Sequence, residues 1–568
     1  MKKIFLLFKI FLILLLSLPL LTEAQTIPAG MPVLAEAYRR AQLLGKINPN
    51  VSFTSWPLFP KKVFVVKNSF YPDTSREKKL TPKYNGILHF GKGKGLFQLL
   101  PVIWQQQYNT LHPQGLNDGA MIPARGYQTL FSAGAFFRYG PLSIQLWPEV
   151  VYAQNKPYDG YPVNYPAYRW AQYYWTMNLI DLPERFGSGA YSKITWGQSS
   201  IRLTFGAVSF GLSNENLWWG PGTRNTLLMT NSAPGFKHFT FNTVRPVKTF
   251  MGSFEWQLIA GRLEPSGFLP PQSDKIYHGE RLYVPKPDDW RYLSGLLVTY
   301  HPKWVPGLFL GFARTVQQYH KNMGGNLKDY FPVFMPLGLR AAGGDGELAH
   351  KRSQLWSVFA RWLWVKGHGE VYFEYGWSNY FWDNRDFKVE LAHSGAFVLG
   401  FRKMIPLKMH KDESIEVLME FTQLSMNPST INRHGLSWYL SPVVRAGYTN
   451  EGQMLGAGIG PGSNLQTLQV SWVRSLNMIG LRLERYVHNN DFFYANVKDV
   501  RDNWVDFNVA LLGQWAFRNQ LLLNAQVEYN HSFNYQWQYT PPPPPDYWNG
   551  KGKDITNIHL KAGITYRF

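Results

Sequence analysis

Apolar and polar side chains alternate strictly at the end of the chain. The apolar face of this segment carries Ile558, Leu560, Ala562, Ile564, Tyr566 and Phe568. The residues between them are polar or small, and a period of two predicts a β-strand with one apolar and one polar face. A final aromatic residue is typical of the last strand of bacterial outer-membrane barrels. We therefore expect this strand to run from the outside of the cell to the periplasm.

The same alternation recurs along the chain and predicts about eighteen antiparallel strands. They begin near Leu96, Gly126, Leu142, Ala190, Ile201, His238, Met251, Arg291, Gly307, Gln354, Glu370, Gly395, Ser414, Gln466, Asn477, Val505, Asn519 and Asn557. Tight links at 139–141, 366–369 and 474–476 fall on the side of the C-terminal residue, and long segments fall on the other. Short periplasmic turns and long external loops are typical of transmembrane barrels. The expected fold class is all-β, an outer-membrane β-barrel over residues 95–568.

Residues 25–94 have a different pattern. Leu34, Ala37, Tyr38, Ala41 and Leu44 follow helical spacing, with a proline near the start and a glycine just past the end. This pattern predicts a short helix. Because the segment precedes the first strand, we expect a periplasmic segment or plug at the barrel mouth, with a mobile arm as the alternative.

The first residues, 1–24, resemble a secretory signal peptide cleaved near Ala24. Lys2 and Lys3 form the basic start, and Thr22-Glu23-Ala24 offers small residues at the two positions that a signal peptidase reads. The apolar run after Lys9 is too short to cross about 30 Å of hydrocarbon. No longer apolar run follows, so residence in a membrane requires a closed barrel, because lipid offers backbone polar groups no partners.

Composition narrows the class of partner. The chain has no cysteine, which excludes disulfides, thiolate metal sites and an N-terminal lipid anchor. The formal net charge is +21, which favours anionic partners. For an exported barrel, acidic polysaccharide or lipopolysaccharide phosphate fits this charge better than nucleic acid. Outer-membrane lipids are expected around the barrel.

Several external segments carry recognisable motifs. The most specific is 211–222, which contains Trp218-Trp219-Gly220-Pro221 and is followed by Asn225 and by 233–236. Further motifs lie at 100–102, 106–109, 117–120, 447–453, 460–464 and 488–491. Together they resemble the Wzi family of capsule-assembly proteins over nearly the whole mature chain. The proline run 541–545 is a departure from the family pattern.

The resemblance implies an eighteen-stranded barrel, closed by its own elements, that acts as a lectin and holds capsular polysaccharide at the cell surface. A capsule export machinery is a further possible partner. The alternative function is an outer-membrane porin or polysaccharide export channel, which depends on an open lumen. A barrel-rim hydrolase is a third class, for which we expect no activity.

The candidate polysaccharide-binding residues are Trp218, Trp219, Arg224, Tyr448, Asn450, Tyr547 and Trp548. Adjacent tryptophans on a loop can stack on sugar rings, and Arg224 can pair with an acidic sugar. The tryptophans could instead plug the barrel from above. Tyr547 and Trp548 follow the proline run, which predicts either a stiff rod that projects aromatic side chains or a solvated spacer.

Other motifs do not indicate catalysis, a cofactor or a metal. The glycine-rich segment 456–462 is followed by no helix pattern, so a conformational role is favoured over nucleotide binding. In 488–491, no serine or second carboxylate is spaced to orient His488 as a base. Glu370 and Glu374 share one strand face, and we expect them to point into the lumen and to be neutralised by partners such as Arg361.

Overall fold

The computed structural model describes residues 25–64, 66, 68–72, 86–337, 351–378, 384–410, 412–427, 435–497, 499–517 and 520–568. The proposed signal peptide and its cleavage site lie outside these ranges.

Eighteen antiparallel strands form a closed barrel. They are β1 Gly95–Asn109, β2 Gly126–Tyr139, β3 Leu142–Leu146 with Glu149–Ala153, β4 Tyr191–Thr195 with Ser200–Phe205, β5 Val208–Ser213, β6 His238–Thr243, β7 Gly252–Leu263, β8 Arg291–Pro302, β9 Leu308–Tyr319, β10 Ser353–Trp364, β11 Gly369–Ser378, β12 Gly395–Pro406, β13 Glu413–Gln423, β14 Asn464–Arg474, β15 Asn477–Val487, β16 Val505–Phe517, β17 Leu521–Phe533 and β18 Ile555–Tyr566. The barrel closes where β1 pairs with β18, with Asn109 opposite His559. The predicted fold class and strand number are confirmed.

Two predicted strand starts were wrong in detail. Both segments of β4 pair with β3, so the starts near Ala190 and Ile201 belong to one interrupted strand. The missed strand is β5, which pairs with β4 after a tight turn at Gly206. Gly206 has a φ of 60°, a left-handed conformation that glycine adopts without steric cost. One strand lost and one gained leave the total unchanged.

Side chains alternate between the outside of the barrel and its interior. In β15, Ile479, Leu481 and Leu483 are exposed on the outer face, whereas Arg482 and Glu484 are buried inside. Apolar side chains outside and polar ones inside are what a lipid environment and a polar lumen select. Among the described residues, no helix is long and apolar enough to cross a bilayer.

Helices and small strands make up further parts of the described chain. The α-helices are α1 Leu34–Leu43, α2 Pro60–Val63, α3 Ala167–Met177, α4 Leu327–Tyr330, α5 Asn384–Val389 and α6 Asn490–Phe492, and a π-helix spans Phe493–Val497. The 3-10 turns are Gly91–Gly93, His320–Asn322, Pro332–Phe334, Val500–Asp502 and Tyr535–Trp537. Two small strands pair with the barrel: Ile87–Phe90 with β1 and Val247–Lys248 with β7. Four further pairs of two-residue strands are Ser55–Trp56 with Trp218–Trp219, Ile276–Tyr277 with Glu280–Arg281, Thr449–Asn450 with Gln453–Met454, and Tyr539–Thr540 with Lys551–Gly552.

Candidate functional site

The N-terminal segment lies inside the barrel. Arg39 of α1 donates from Nε to Glu370 Oε1 of β11 at 2.8 Å, and Arg402 of β12 donates to Glu36 Oε2 at 2.6 Å. Arg361 of β10 pairs with Glu370 and donates to the Ser52 carbonyl at 2.8 Å. These ion pairs and hydrogen bonds hold residues 34–52 against the inner wall, because each of these three arginines has a carboxylate beside it.

The tryptophan pair joins this segment to an external loop. Trp218 and Trp219 form a short antiparallel pairing with Ser55–Trp56. Both indoles are buried, and Trp219 Nε1 donates to Gln257 Oε1 of β7 at 2.7 Å. The loop 214–237 therefore folds down into the lumen and meets the N-terminal segment there.

One carboxylate of the barrel wall binds the backbone of this loop. Glu420 of β13 accepts hydrogen bonds from the backbone amides of Thr223 at 2.7 Å and Asn225 at 2.8 Å, and also from that of Arg224. The Tyr372 hydroxyl donates to the same carboxylate at 2.7 Å. The Arg224 side chain pairs with Glu484 of β15 at 2.8 Å. An ionised acceptor strengthens each of these bonds, so the loop is fixed in place.

Glu370 and Glu374 both lie inside the barrel, but among the described residues only Glu370 has an arginine partner. Glu374 accepts hydrogen bonds from the Ser357 hydroxyl at 2.8 Å and the Leu227 backbone amide at 3.2 Å. The expectation that partners such as Arg361 neutralise both carboxylates was wrong for Glu374. This residue binds the inward loop instead.

Tyr448 and Asn450 are also buried in the lumen. Tyr448 packs in the large apolar cluster that contains Trp219, and its ring stacks on Tyr439 at 5.9 Å. Asn450 Nδ2 donates to the Pro234 carbonyl at 3.1 Å, and its Oδ1 accepts from the Glu264 amide at 3.0 Å. Residues 435–463 thus pack into the lumen together with 214–237.

The remaining two candidates, Tyr547 and Trp548, lie at the outer rim. They belong to the loop that bears the proline run, and their rings contact each other edge to face at 4.8 Å. The Arg501 guanidinium lies 4.0 Å from the Tyr547 ring centroid, a cation–π contact. Arg501 also donates to the Tyr547 carbonyl and pairs with Asp499.

Helix α3 adds a second aromatic element to the rim, which the sequence analysis did not predict. Trp170, Tyr173 and Tyr174 face inward and are buried, whereas Tyr168 and Trp175 share the outer face. Its inward residues recur at helical spacing, a signal that was present in the sequence. Arg169 of this helix donates to the Asn496 carbonyl at 3.0 Å and so connects α3 to the loop of Arg501.

These elements form one surface, which we call the rim surface. Its aromatic side chains are Tyr168 (47 % exposed), Trp175 (62 %), Tyr494 (66 %), Tyr547 (49 %) and Trp548 (72 %). Its ionisable groups include Arg169, Arg501 and Asp502. Burial, and then the nearby Asp499, raise the pKa of Asp502 to about 6. The rim surface therefore gains positive charge below neutral pH.

Of the seven predicted residues, five lie in the lumen and two on the rim surface. Trp218 and Trp219 are buried inside the barrel, as expected if they plug it, and Arg224 forms an ion pair with Glu484. Polysaccharide contact by any of the seven remains a prediction.

Comparison with known proteins places the chain in a family. A search of curated protein sequences finds no significant match. Among solved structures, the chain is similar to Wzi of Escherichia coli, an outer-membrane carbohydrate-binding β-barrel involved in group 1 capsule assembly, with a TM-score of 0.59, 14 % identity, and coverage of 96 % of this chain and 100 % of that one. OccAB2 of Acinetobacter baumannii matches with a TM-score of 0.40 and 10 % identity, over 82 % of this chain and 98 % of that one.

The model of the family described as capsule assembly protein Wzi matches residues 117–538, which is more than half of the chain. The matched range includes both inward loops and most of the rim surface. The chain is an outer-membrane β-barrel that belongs to the Wzi family of capsule-assembly proteins.

Proposed function

We propose that the protein binds capsular polysaccharide on its rim surface and holds the polymer at the cell surface during capsule assembly. The observation that carries this proposal is the group of five exposed aromatic side chains above a lumen filled by the chain itself. A polymer that meets a filled lumen binds at the rim and does not pass through the barrel. The carbohydrate binding of the Escherichia coli family member supports the same conclusion.

The aromatic side chains suit sugar rings. Tyr168 and Trp175 are seven residues apart on one helix face, which separates them by about 10 Å along the axis. A polymer lying along α3 contacts both, and Trp548 and Tyr547 offer further stacking positions across the rim. Several weak contacts repeated along one polymer give high overall avidity.

The cations suit an anionic polymer. Arg169 and Arg501 lie among the exposed aromatic residues, and the whole chain carries a formal charge of +21. Charge attraction of this kind weakens as salt rises. Lipopolysaccharide phosphates and outer-membrane lipids are proposed neighbours of the same basic protein, and the capsule export machinery is a proposed partner.

The proposed binding requires no cofactor, metal or covalent chemistry. The porin alternative predicts wide ohmic openings, and the hydrolase alternative predicts shortening of the polymer by purified protein. We expect no wide openings, because the chain itself fills the lumen. We also expect no shortening of the polymer, because the buried carboxylates described above bind arginine or backbone amides.

The test is a pair of rim substitutions in cells whose wild-type gene is deleted. Trp175→Ala with Trp548→Ala should reduce cell-attached polymer and release it into the medium. Trp304→Ala is the matched control, because Trp304 is 67 % exposed but lies in the short turn between β8 and β9 at the opposite end. Full polymer retention by a folded double variant would contradict the proposal, as would an unchanged capsule in the deletion strain.

A further inference from the structure

Between the N-terminal segment and the barrel wall, the lumen retains a cavity of about 340 Å³. It lies between α1 and the wall formed by β12 to β18, and residues 29–33 and 222–224 also line it. A volume of this size falls at the lower end of the range for small-molecule sites. The cavity lies apart from the rim surface.

Among the residues that line the cavity, cations outnumber carboxylates. The lining cations are Arg39, Arg40, Arg224, Arg402, Arg482 and Lys561, against two lining carboxylates, Glu36 and Glu416. Burial raises the pKa of Glu36, but the neighbouring arginines, Arg402 first, outweigh burial and lower it. The cavity therefore stabilises the ionised form of the Glu36 carboxylate although that group is buried.

Most of these cations have a carboxylate partner. The pairs are Arg39–Glu370, Arg224–Glu484, Arg402–Glu36, Arg482–Glu528 and Lys561–Asp118. Arg40 differs, because no carboxylate of the described residues lies within ion-pair distance of it. Its side chain donates only to the Glu36 backbone carbonyl at 3.4 Å and to Gln514 Oε1 at 3.0 Å.

Four guanidinium nitrogens of this wall lack any hydrogen-bond partner in the part of the chain that the structure describes, namely Nη1 of Arg40, Nε and Nη1 of Arg402 and Nε of Arg482. Nε of Arg402 and Nε of Arg482 still lie within ion-pair distance of Glu416 (3.5 Å) and Glu484 (3.2 Å). The other two, Nη1 of Arg40 and Nη1 of Arg402, belong to side chains that are almost fully buried. A buried charged donor without an acceptor is costly, whereas an oxyanion accepts from guanidinium groups with short, strong bonds.

The cavity also has a continuation toward the outer face. A second, smaller cavity of about 70 Å³ shares Arg224, Arg482, Gln526 and Lys561 with it and extends to residues 114–116 and 458–459 of the external loops. This continuation extends the polar lining from the larger cavity toward the external loops.

We propose that this cavity is a binding site for a small oxyanion ligand, with Arg40 and Arg402 as the residues that hold the anionic group. The ligand class is a carboxylate or phosphate on a small polar molecule, such as one acidic sugar unit. The site is separate from the rim surface and does not depend on polymer binding there.

The test is calorimetric titration of the detergent-solubilised protein at low salt with two probes, glucuronate and inorganic phosphate. We expect saturable binding of about one probe molecule per chain, and Arg40→Gln should weaken it at least about tenfold. Arg474→Gln is the control, because Arg474 is exposed at a tight turn beyond the cavity. Binding of glucuronate alone identifies an acidic sugar as the ligand class, and binding of phosphate alone identifies a phosphate.

A second variant keeps the test informative if Arg40→Gln does not fold. Gln514→Glu places a carboxylate next to Arg40 with little change in shape, and it should also abolish probe binding while the barrel remains folded. Absence of binding to the wild-type protein would show that the cavity holds water only and would overturn the proposal. Equal binding by the wild type and both cavity variants would overturn it as well, by placing the site elsewhere.

Discussion

Arg39 on the N-terminal helix and Glu370 on strand β11 are joined by an ion pair of 2.8 Å inside the barrel. Glu370 also pairs with Arg361 of the neighbouring strand β10, so a single carboxylate lies between two guanidinium groups. The N-terminal segment, which we call the plug, is thus connected to the barrel wall through the fully buried carboxylate of Glu370.

Glu370→Gln should therefore loosen the plug and destabilise the protein. Removing one partner from a buried ion pair leaves uncompensated charge, which typically costs about 3–5 kcal/mol. Denaturant unfolding and limited proteolysis within 25–72 measure the effect. Glu280→Gln, at an exposed position of a loop hairpin, should change neither.

Glu420→Ala should release the inward loop 214–237. The backbone amides of Thr223, Arg224 and Asn225 lose their shared acceptor, so the loop loses its anchor on β13. In planar bilayers we expect little or no conductance from the wild type and measurable openings from this variant. Steady wide openings of the wild-type protein would instead support the porin alternative.

Trp219→Ala should lower the free energy of unfolding by about 3–5 kcal/mol, because the indole is fully buried and the surrounding cluster cannot collapse into the space. Trp219→Phe should restore part of this loss. If a folded Trp219→Phe variant retains polymer, the role of Trp219 is structural and not sugar contact. As the control for stability, Trp304→Ala should leave the free energy of unfolding nearly unchanged.

Polymer binding should depend on pH through Asp502. Its pKa is raised to about 6, so the carboxylate is ionised at pH 8 and becomes neutral as the pH falls through that value. Loss of this negative charge should strengthen binding of an anionic polymer about two- to fivefold between pH 8 and pH 5. Asp502→Asn should bind at pH 8 as the wild type does at pH 5. An unchanged pH profile in this variant would exclude Asp502 as the cause.

The barrel could be predicted from the sequence because its determinant is local. Each strand has one lipid face, and alternation such as that of Ile479, Leu481 and Leu483 is visible in the chain itself. The error at residues 190–213 arose where β4 is interrupted near Gly197, since a break within one strand has the same composition as a turn between two. The tight turn at Gly206 contains few residues typical of turns, so the sequence gives little local signal that β5 begins after it.

The site was less predictable because it depends on contacts between distant segments. Trp218 and Tyr448 look like exposed loop residues in the sequence, yet they are buried by partners far along the chain, such as Trp56 for Trp218 and Met229 for Tyr448. Nothing local distinguishes a loop that folds into the lumen from one that stands above it. Helix α3 is an exception, because Trp170, Tyr173 and Tyr174 recur at helical spacing in the sequence.

The seam between β1 and β18 links closure of the wall to the N-terminal segment. Arg567, just after β18, donates to the Phe70 carbonyl at 2.6 Å, next to the segment that fills the lumen. The wall becomes continuous only when β18 pairs with β1, and the Arg567–Phe70 contact forms beside that seam. We therefore expect closure of the wall and docking of residues 68–72 to stabilise each other.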